Sequence, residues 1–233
     1  MADLFQWRFV WEYLPKILRA LPTTLLIVLV GTAAGLVLGL IIAMIRIERV
    51  PVLRQIAVVY VSFIRSTPVF VQMFIIFYGL PMLFMLVGIN IIRWNVLFFV
   101  FVTYGINYSA SMSEIIRSSV LSVGESQWDA AYAAGMTKLQ TYFRIILPQC
   151  VVIAVPSFGT SMVMLLQDSA LAYMLGVIDV IGQVKTLAVS TAHSLEGYFV
   201  AMILFIILSI ILEKVFGFLE KITRTQNKVT SAV

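Results

Sequence analysis

A handful of polar residues stand in stretches otherwise built for lipid, chief among them Gln72, Asn107, Ser111, Ser161, Gln167 and Asp168. Asn107, Ser111 and Glu114 recur at i, i+4 and i+7, on one helical face; Ser157 and Ser161 share a second face, with Gln167 and Asp168 at its far end. Such side chains exchange hydrogen bonds, and all but Glu114 and Asp168 are uncharged, so the two stripes could line a path for a zwitterionic solute. Polar groups inside a bilayer are costly and often functional. A serine there commonly bonds the backbone one turn back, the simpler explanation for the serines alone. Gln72, Asn107 and Asp168 are the stronger candidates. Asp168 is suited to attract an ammonium group near the outer mouth of the path, whereas Glu114 with Arg117 more simply ties the end of its span to the next loop.

Other chemistries lack their parts. A single cysteine, Cys150, cannot form an internal disulfide, and a single histidine, His193, cannot build a metal site. The pattern G-x-x-x-x-G-K-[ST] is absent, so the chain has no phosphate loop with which to hold ATP, and no cofactor is expected in it. The net charge of +5 could suggest nucleic acid, but the placement of the charges argues for membrane topology instead.

The elements that must position the polar residues are apolar helices. Of 233 residues, 61% are hydrophobic and 12% charged, which places the chain in a bilayer. Uncharged stretches at 20–45, 66–92, 94–113 and 145–167, with a shorter one at 197–212, predict five transmembrane helices and an all-α integral membrane protein. Eleven of the 16 Lys and Arg residues fall after spans one, three and five or just before span two, among them Arg46, Arg49, Arg54, Arg65, Arg117, Lys138, Arg144, Lys214, Lys221, Arg224 and Lys228. The positive-inside rule then puts the amino terminus outside and the carboxyl terminus in the cytoplasm. The start lacks a basic n-region and a small-residue cleavage pattern, so the first span is expected to remain as an anchor.

The organisation expected is an outer amphipathic segment at 1–19, a membrane domain at 20–220 with a cytoplasmic loop at 118–144, and a cytoplasmic tail at 221–233. In the first segment Trp7, Trp11, Leu14 and Leu18 share one helical face and Arg8, Glu12, Lys16 and Arg19 the other, which suits a helix lying in the headgroup layer. Gly31, Gly35 and Gly39 make a groove for a close-packed helix, of this subunit or another. Pro68 and Pro81 bracket span two, and the segment 168–196 reads as interfacial or partly re-entrant.

The loop "WDAAYAAGMTKLQTYFRIILPQ" carries the clearest local signals. Ser126 with Asp129 is an acidic capping-box variant starting a helix at about 127. Gly135 is a natural left-handed terminator, and Thr137 with Gln140 forms a second capping box. The result is a short helix, a glycine corner and a second helix leading into Arg144 and Pro148. Ala130, Ala131, Ala133 and Ala134 keep the short helix slim, and Trp128 and Tyr132 give it aromatic anchors. Such a helix can plug into a partner's groove or pack on its own subunit.

This stretch resembles the EAA loop of ATP-binding-cassette importer permeases. Asp129, Ala130, Ala131 and Gly135 match its core; Ile146, Leu147 and Pro148 match its tail; Asp stands for the usual Glu. "FIRSTPVFVQMFIIFYGLP", "SEIIRSSVLSV" and "LLQDSALAYMLGVIDV" narrow the resemblance to permeases of the polar amino acid uptake family, over roughly residues 20 to 220. Ser118 and Ser119 replace frequent glycines and Gln167 a frequent lysine, departures that bear on the substrate. The resemblance implies a type I importer permease in the plasma membrane of a bacterium, with a cytoplasmic coupling helix that includes Trp128, Asp129, Ala130, Ala131, Ala134 and Gly135. The partners implied are a dimer of ATP-binding subunits holding ATP and Mg, a second permease copy or a sister permease, an extracellular solute-binding protein and the lipid bilayer. "LGVIDVIGQVK" looks most like permeases for cystine. A passive channel or a non-transporting scaffold also fits five spans but leaves the loop without a purpose.

Overall fold

The computed structural model describes residues 5–230, with side chains up to residue 223. Regular structure among them is entirely helical: α1 (Trp7–Leu18), α2 (Leu21–Ile47), α3 (Leu53–Ser66), α4 (Val69–Met85), α5 (Val96–Ser122), α6 (Glu125–Ala133), α7 (Lys138–Thr141), α8 (Leu147–Asp168), α9 (Val180–Thr191) and α10 (Ser194–Thr230). A π turn, Tyr142–Ile146, joins α7 to α8, and a 3-10 stretch, Ser169–Leu175, follows α8. Four helical runs are long and apolar enough to cross a bilayer: Leu21–Ile47, Val96–Ser122, Lys138–Leu175 and Ser194–Thr223. The pair α3 and α4, bent by 111°, makes five if counted as one broken span.

Span two therefore differs from its sequence expectation. The helical run starts at Leu53, well before residue 66, and breaks at Thr67 and Pro68, which have extended backbone. Pro68 is the cap of α4 as expected, because a proline disfavours helix at the preceding residue and needs no amide partner in the first turn. Pro81 does not end the helix; it lies buried inside α4. The spans around α5 and α10 also run on past the uncharged stretches, since Glu114, Arg117, Glu213 and Lys214 are accommodated within helices.

The centre of the bundle is the seam between α2 and α5. A Cβ placed on Gly31 would lie 3.0 Å from Tyr104 Cβ, one on Gly35 2.9 Å from Tyr108 Cβ, and one on Gly39 2.6 Å from Met112 Cβ. The glycine groove thus receives α5 of the same chain. Around this seam Ile27, Val28, Leu165 and Leu166 complete a buried core shared by α2, α5 and α8.

At one end of the bundle α1, α9 and the start of α10 form a second core around Tyr13, Ile17, Val184 and Val200. The packed face of α1 is Val10, Tyr13 and Ile17, whereas Trp7 and Trp11 stay exposed. The tryptophan stripe thus stays unpacked, the face a helix lying in a headgroup layer would turn to lipid. Asp179 caps α9, its Oδ1 accepting the Gly182 N–H at 2.7 Å. Its Oδ2 is buried with no hydrogen-bond partner among the described residues, and burial pushes the carboxyl up to about 6. The α6 loop lies at the opposite end, where Arg46, Arg117 and Lys138 also cluster. Part of the expected 221–233 tail, including the side chains of Arg224 and Lys228, lies outside the described residues, as do residues 1–4 of the first segment.

Two stability predictions follow from these contacts. Gly39→Leu forces α2 and α5 apart and costs about 1–3 kcal/mol or more, whereas Gly79→Ala, with nothing within 4 Å of the new methyl, is tolerated; thermal unfolding in detergent separates the two. The folded carboxyl of Asp179 titrates above its unfolded value, so its neutral form is stabilising at low pH and that contribution fades as pH rises through about 6. Asp179→Asn keeps an acceptor for the cap, so its melting temperature rises relative to the native chain between pH 4 and 7.

Candidate coupling loop and polar belt

The loop after α5 is built by local rules. Gly124, at φ +68, turns the chain immediately after α5, so α6 begins at Glu125. The expected Ser126 cap is displaced by this turn: Ser126 falls inside the first turn of α6, and Gly124 holds the cap position without a side-chain bond. Gly135 adopts φ +76, as its position after the helix requires, and its N–H donates to the Tyr132 carbonyl at 2.9 Å. Met136 N–H donates to the Ala131 carbonyl at 3.0 Å, completing the helix end. Thr137 and Gln140 make the reciprocal capping box at the start of α7.

The six loop residues named from the sequence divide between two faces. Trp128 is half-buried, packed edge-on against the Tyr142 ring at 4.8 Å and against the cluster of Val123, Ile146 and Cys150. Ala131 is buried beside it. These two anchor α6 to its own subunit. Asp129, Ala130, Ala134 and Gly135 are exposed together with Ala133, a low, small-residue outer surface beside which the exposed Tyr132 ring projects.

Two carboxylates hold the end of α2, one to α5 and one to the loop. Glu114 on α5 accepts from Arg46 Nη2 and from Arg117 Nε, each at 2.9 Å. Glu48, just past α2, accepts from the Lys138 ammonium and, at 2.9 Å, from the Tyr142 hydroxyl. The Lys138 hydrogen bond holds the Glu48 carboxyl below the usual carboxylate range. Sequence reading paired Glu114 with Arg117 as a tie from span three to the loop, whereas both lie within α5 and the bond that leaves this helix is the one from Glu114 to Arg46 on α2. It missed Arg46 and Glu48, whose partners are 68 and 90 residues away in the chain.

The polar belt forms two hydrogen-bonded groups that do not follow the two stripes expected along spans three and four. Asn107 Nδ2 donates to Gln72 Oε1 at 3.0 Å, and Gln72 Nε2 in turn donates to the Ile64 carbonyl at 2.8 Å and to Thr67 Oγ1 at 2.6 Å. Gln72 thereby bridges the break between α3 and α4. Asp168 faces α5, where the Tyr108 hydroxyl donates to its Oδ2 at 2.9 Å and the Tyr104 hydroxyl to its backbone carbonyl. Ser111 is half-buried and Ser161 buried, while Ser157 is exposed, so the two α8 serines do not share one environment. Gln167 is turned away from Asp168, into a cleft of about 360 Å³ between α8 and α10 that Thr160, Glu213 and Phe216 also line. Tyr104 and Tyr108 were not singled out from sequence; their i, i+4 spacing opposite the glycine groove was the available signal.

With this geometry in place, the family is clear. Residues 35–224 match the model of the binding-protein-dependent transport system inner membrane component, and the chain belongs to that family. It is 37% identical, over 99% of its length and 97% of the relative's, to the L-cystine transport system permease protein TcyL of Bacillus subtilis strain 168. It is 28% identical, over 93% of its length and 97% of the relative's, to the glutamine transport system permease protein GlnP of Escherichia coli K12. Among solved structures it superposes on a chain of a crystallised amino acid ABC transporter with histidines at a TM-score of 0.83 and 26% identity, covering 93% of this chain and 98% of the other. The fold is that of a type I ABC importer permease.

Among the described residues, and apart from its chain neighbours, nothing lies within 4 Å of a Cβ built on Gly135, so the obstacle to a side chain there is the positive φ. Gly135→Asn is expected to keep the corner, while Gly135→Val costs about 1–2 kcal/mol locally. Trypsin cleavage at the exposed Lys138 reads the difference, with faster nicking of the valine variant.

Proposed function

We propose that this chain is the membrane-spanning subunit of an ATP-driven amino acid importer, coupled through α6 to a separate ATP-binding subunit. The observation that carries the reading is the two-faced geometry of α6. Trp128 and Ala131 hold it rigidly to its own subunit, while Asp129, Ala130, Ala134 and Gly135 offer a slim outer face to a partner's groove. The chain has no phosphate loop of its own, so ATP and Mg belong to that partner. Two permease subunits, identical or paired with a sister, sit on a dimer of ATP-binding subunits in this reading, and an extracellular solute-binding protein delivers the substrate. The end bearing α6 and most of the Arg and Lys residues is cytoplasmic, and α1 lies on the outside.

The solute path in this reading runs along Gln72, Asn107, Ser111, Ser161 and Asp168, while Gln167, turned into the cleft between α8 and α10, lies outside it. Gln72 and Asn107 brace the broken span, and Asp168, aimed by Tyr104 and Tyr108, attracts the ammonium group of a polar amino acid. L-cystine is the substrate we favour, on the strength of the similarity to the cystine permease and of the "LGVIDVIGQVK" stretch. A passive channel or scaffold has no use for a rigid outer helix at the loop end.

Two measurements test this. A cysteine at Ala134 is expected to crosslink to a co-expressed ATP-binding subunit, and absence of any such crosslink removes the coupling assignment. Vesicles containing the whole assembly are expected to take up labelled cystine in competition with unlabelled cystine; competition by arginine or glutamine alone overturns the cystine assignment. Gly135→Pro, which loses the Tyr132 bond and cannot adopt positive φ, is expected to insert normally yet abolish uptake.

A further inference from the structure

The end of α2 is bonded both to α5, which leads into the α6 loop, and to the far limb of that loop. Arg46 bonds Glu114 inside α5. Two residues later Glu48 bonds the outgoing limb of the loop through Lys138 on α7 and Tyr142 at the start of the π turn. One helix end thus uses a cation for α5 and a carboxylate for the loop. Trp128 of α6 packs on the same Tyr142 ring, so the outer helix, the π turn and Glu48 are in continuous contact. Beyond Glu48 the backbone is strained: Arg49 has φ +53 and Val52 φ +64, and a β-branched residue rarely adopts such a conformation. Strain of this kind persists only where surrounding contacts impose it, and it gathers at working sites.

We propose that Glu48 is the positioning residue that passes displacement of α6 into α2, and through the glycine seam into α5; this rests on the coupling role assigned to α6 above. Burial of apolar surface by itself fixes no position between helices in lipid, because lipid tails are as apolar as side chains. Directional bonds at a helix end do not slide. When the outer face of α6 is moved, Trp128 presses on Tyr142, and Tyr142 and Lys138 carry Glu48 with them. Gly31, Gly35 and Gly39 hold α2 against α5, so the two helices respond as one body.

The test uses the full assembly in proteoliposomes, with uptake and ATP hydrolysis measured together. Glu48→Gln is expected to lower uptake by about tenfold while ATP hydrolysis changes by less than about twofold, a loss within the ordinary range of coupling between distant sites. Tyr142→Phe, which removes one of the two bonds and keeps the ring under Trp128, is expected to give a smaller loss of the same kind. The charge swap Glu48→Lys with Lys138→Glu is expected to restore uptake where Glu48→Lys alone does not. Unchanged uptake per ATP in both Glu48→Gln and Tyr142→Phe overturns the proposal, as does a parallel fall in uptake and hydrolysis that the swap fails to relieve. The Ala134 crosslink separates this from the underlying reading. If the crosslink forms and Glu48→Gln transports normally, Glu48 is dismissed; if no crosslink forms, the role of α6 itself is wrong.

Discussion

The close approach of α2 to α5 is the constraint on which the rest of the molecule depends. Three glycines, one per turn, leave no Cβ on the contact face of α2, and α5 lies so near that Tyr104, Tyr108 and Met112 occupy the space those Cβ atoms would take. In water such a seam would be one apolar interface among many. In lipid, burial of apolar surface gives no strong preference for one partner, and close van der Waals packing takes over the work of choosing it. With α5 held in this close contact, its tyrosine hydroxyls reach Asp168 and set the position of α8.

Directional bonds are concentrated where they can be aimed. Within the bundle, the Gln72–Asn107 pair closes the gap made by the break at Thr67 and Pro68, supplying partners to backbone carbonyls that a continuous helix would have satisfied. At one end, Glu114 fastens α2 to α5 and Glu48 fastens it to the α6 loop. At the other, Glu196 on α10 accepts the Gln6 N–H at 2.8 Å and contacts His193 Nδ1 at 3.1 Å, while the hydroxyls of Tyr13 and Thr191 meet. Between these polar ends the outer surface is largely aliphatic, as the bilayer requires. The bundle therefore carries its directional bonds mostly at its ends and presents smooth aliphatic sides.

The α6 loop combines a locally determined shape with a tertiary anchor. Its corner and second cap need only Gly135, Thr137 and Gln140. Its orientation needs Trp128 against Tyr142 and the buried Ala131, contacts made with the π turn and the end of α5. The extra residue that a π turn inserts changes the facing of everything before it relative to α8, so the turn at Tyr142–Ile146 sets the direction in which the exposed alanines look.

By itself the sequence determined the features that depend on neighbours within about a turn of helix, or on the bulk chemistry of a span. Apolar stretch length gave the membrane helices, the uneven charges separated one end from the other, and glycine and capping residues gave the helix–corner–helix of the loop. Gln72, Asn107 and Asp168 stood out because polar groups in lipid need a reason. Only the tertiary structure decided the partners. It joined Gln72 to Asn107, gave Asp168 to Tyr108 and turned Gln167 the other way, chose Val10, Tyr13 and Ile17 over the tryptophan stripe as the packed face of α1, and brought Glu48 to Lys138. The physical reason is that a helix offers several faces of similar apolarity, and which one is used depends on distances between helices that no local pattern encodes.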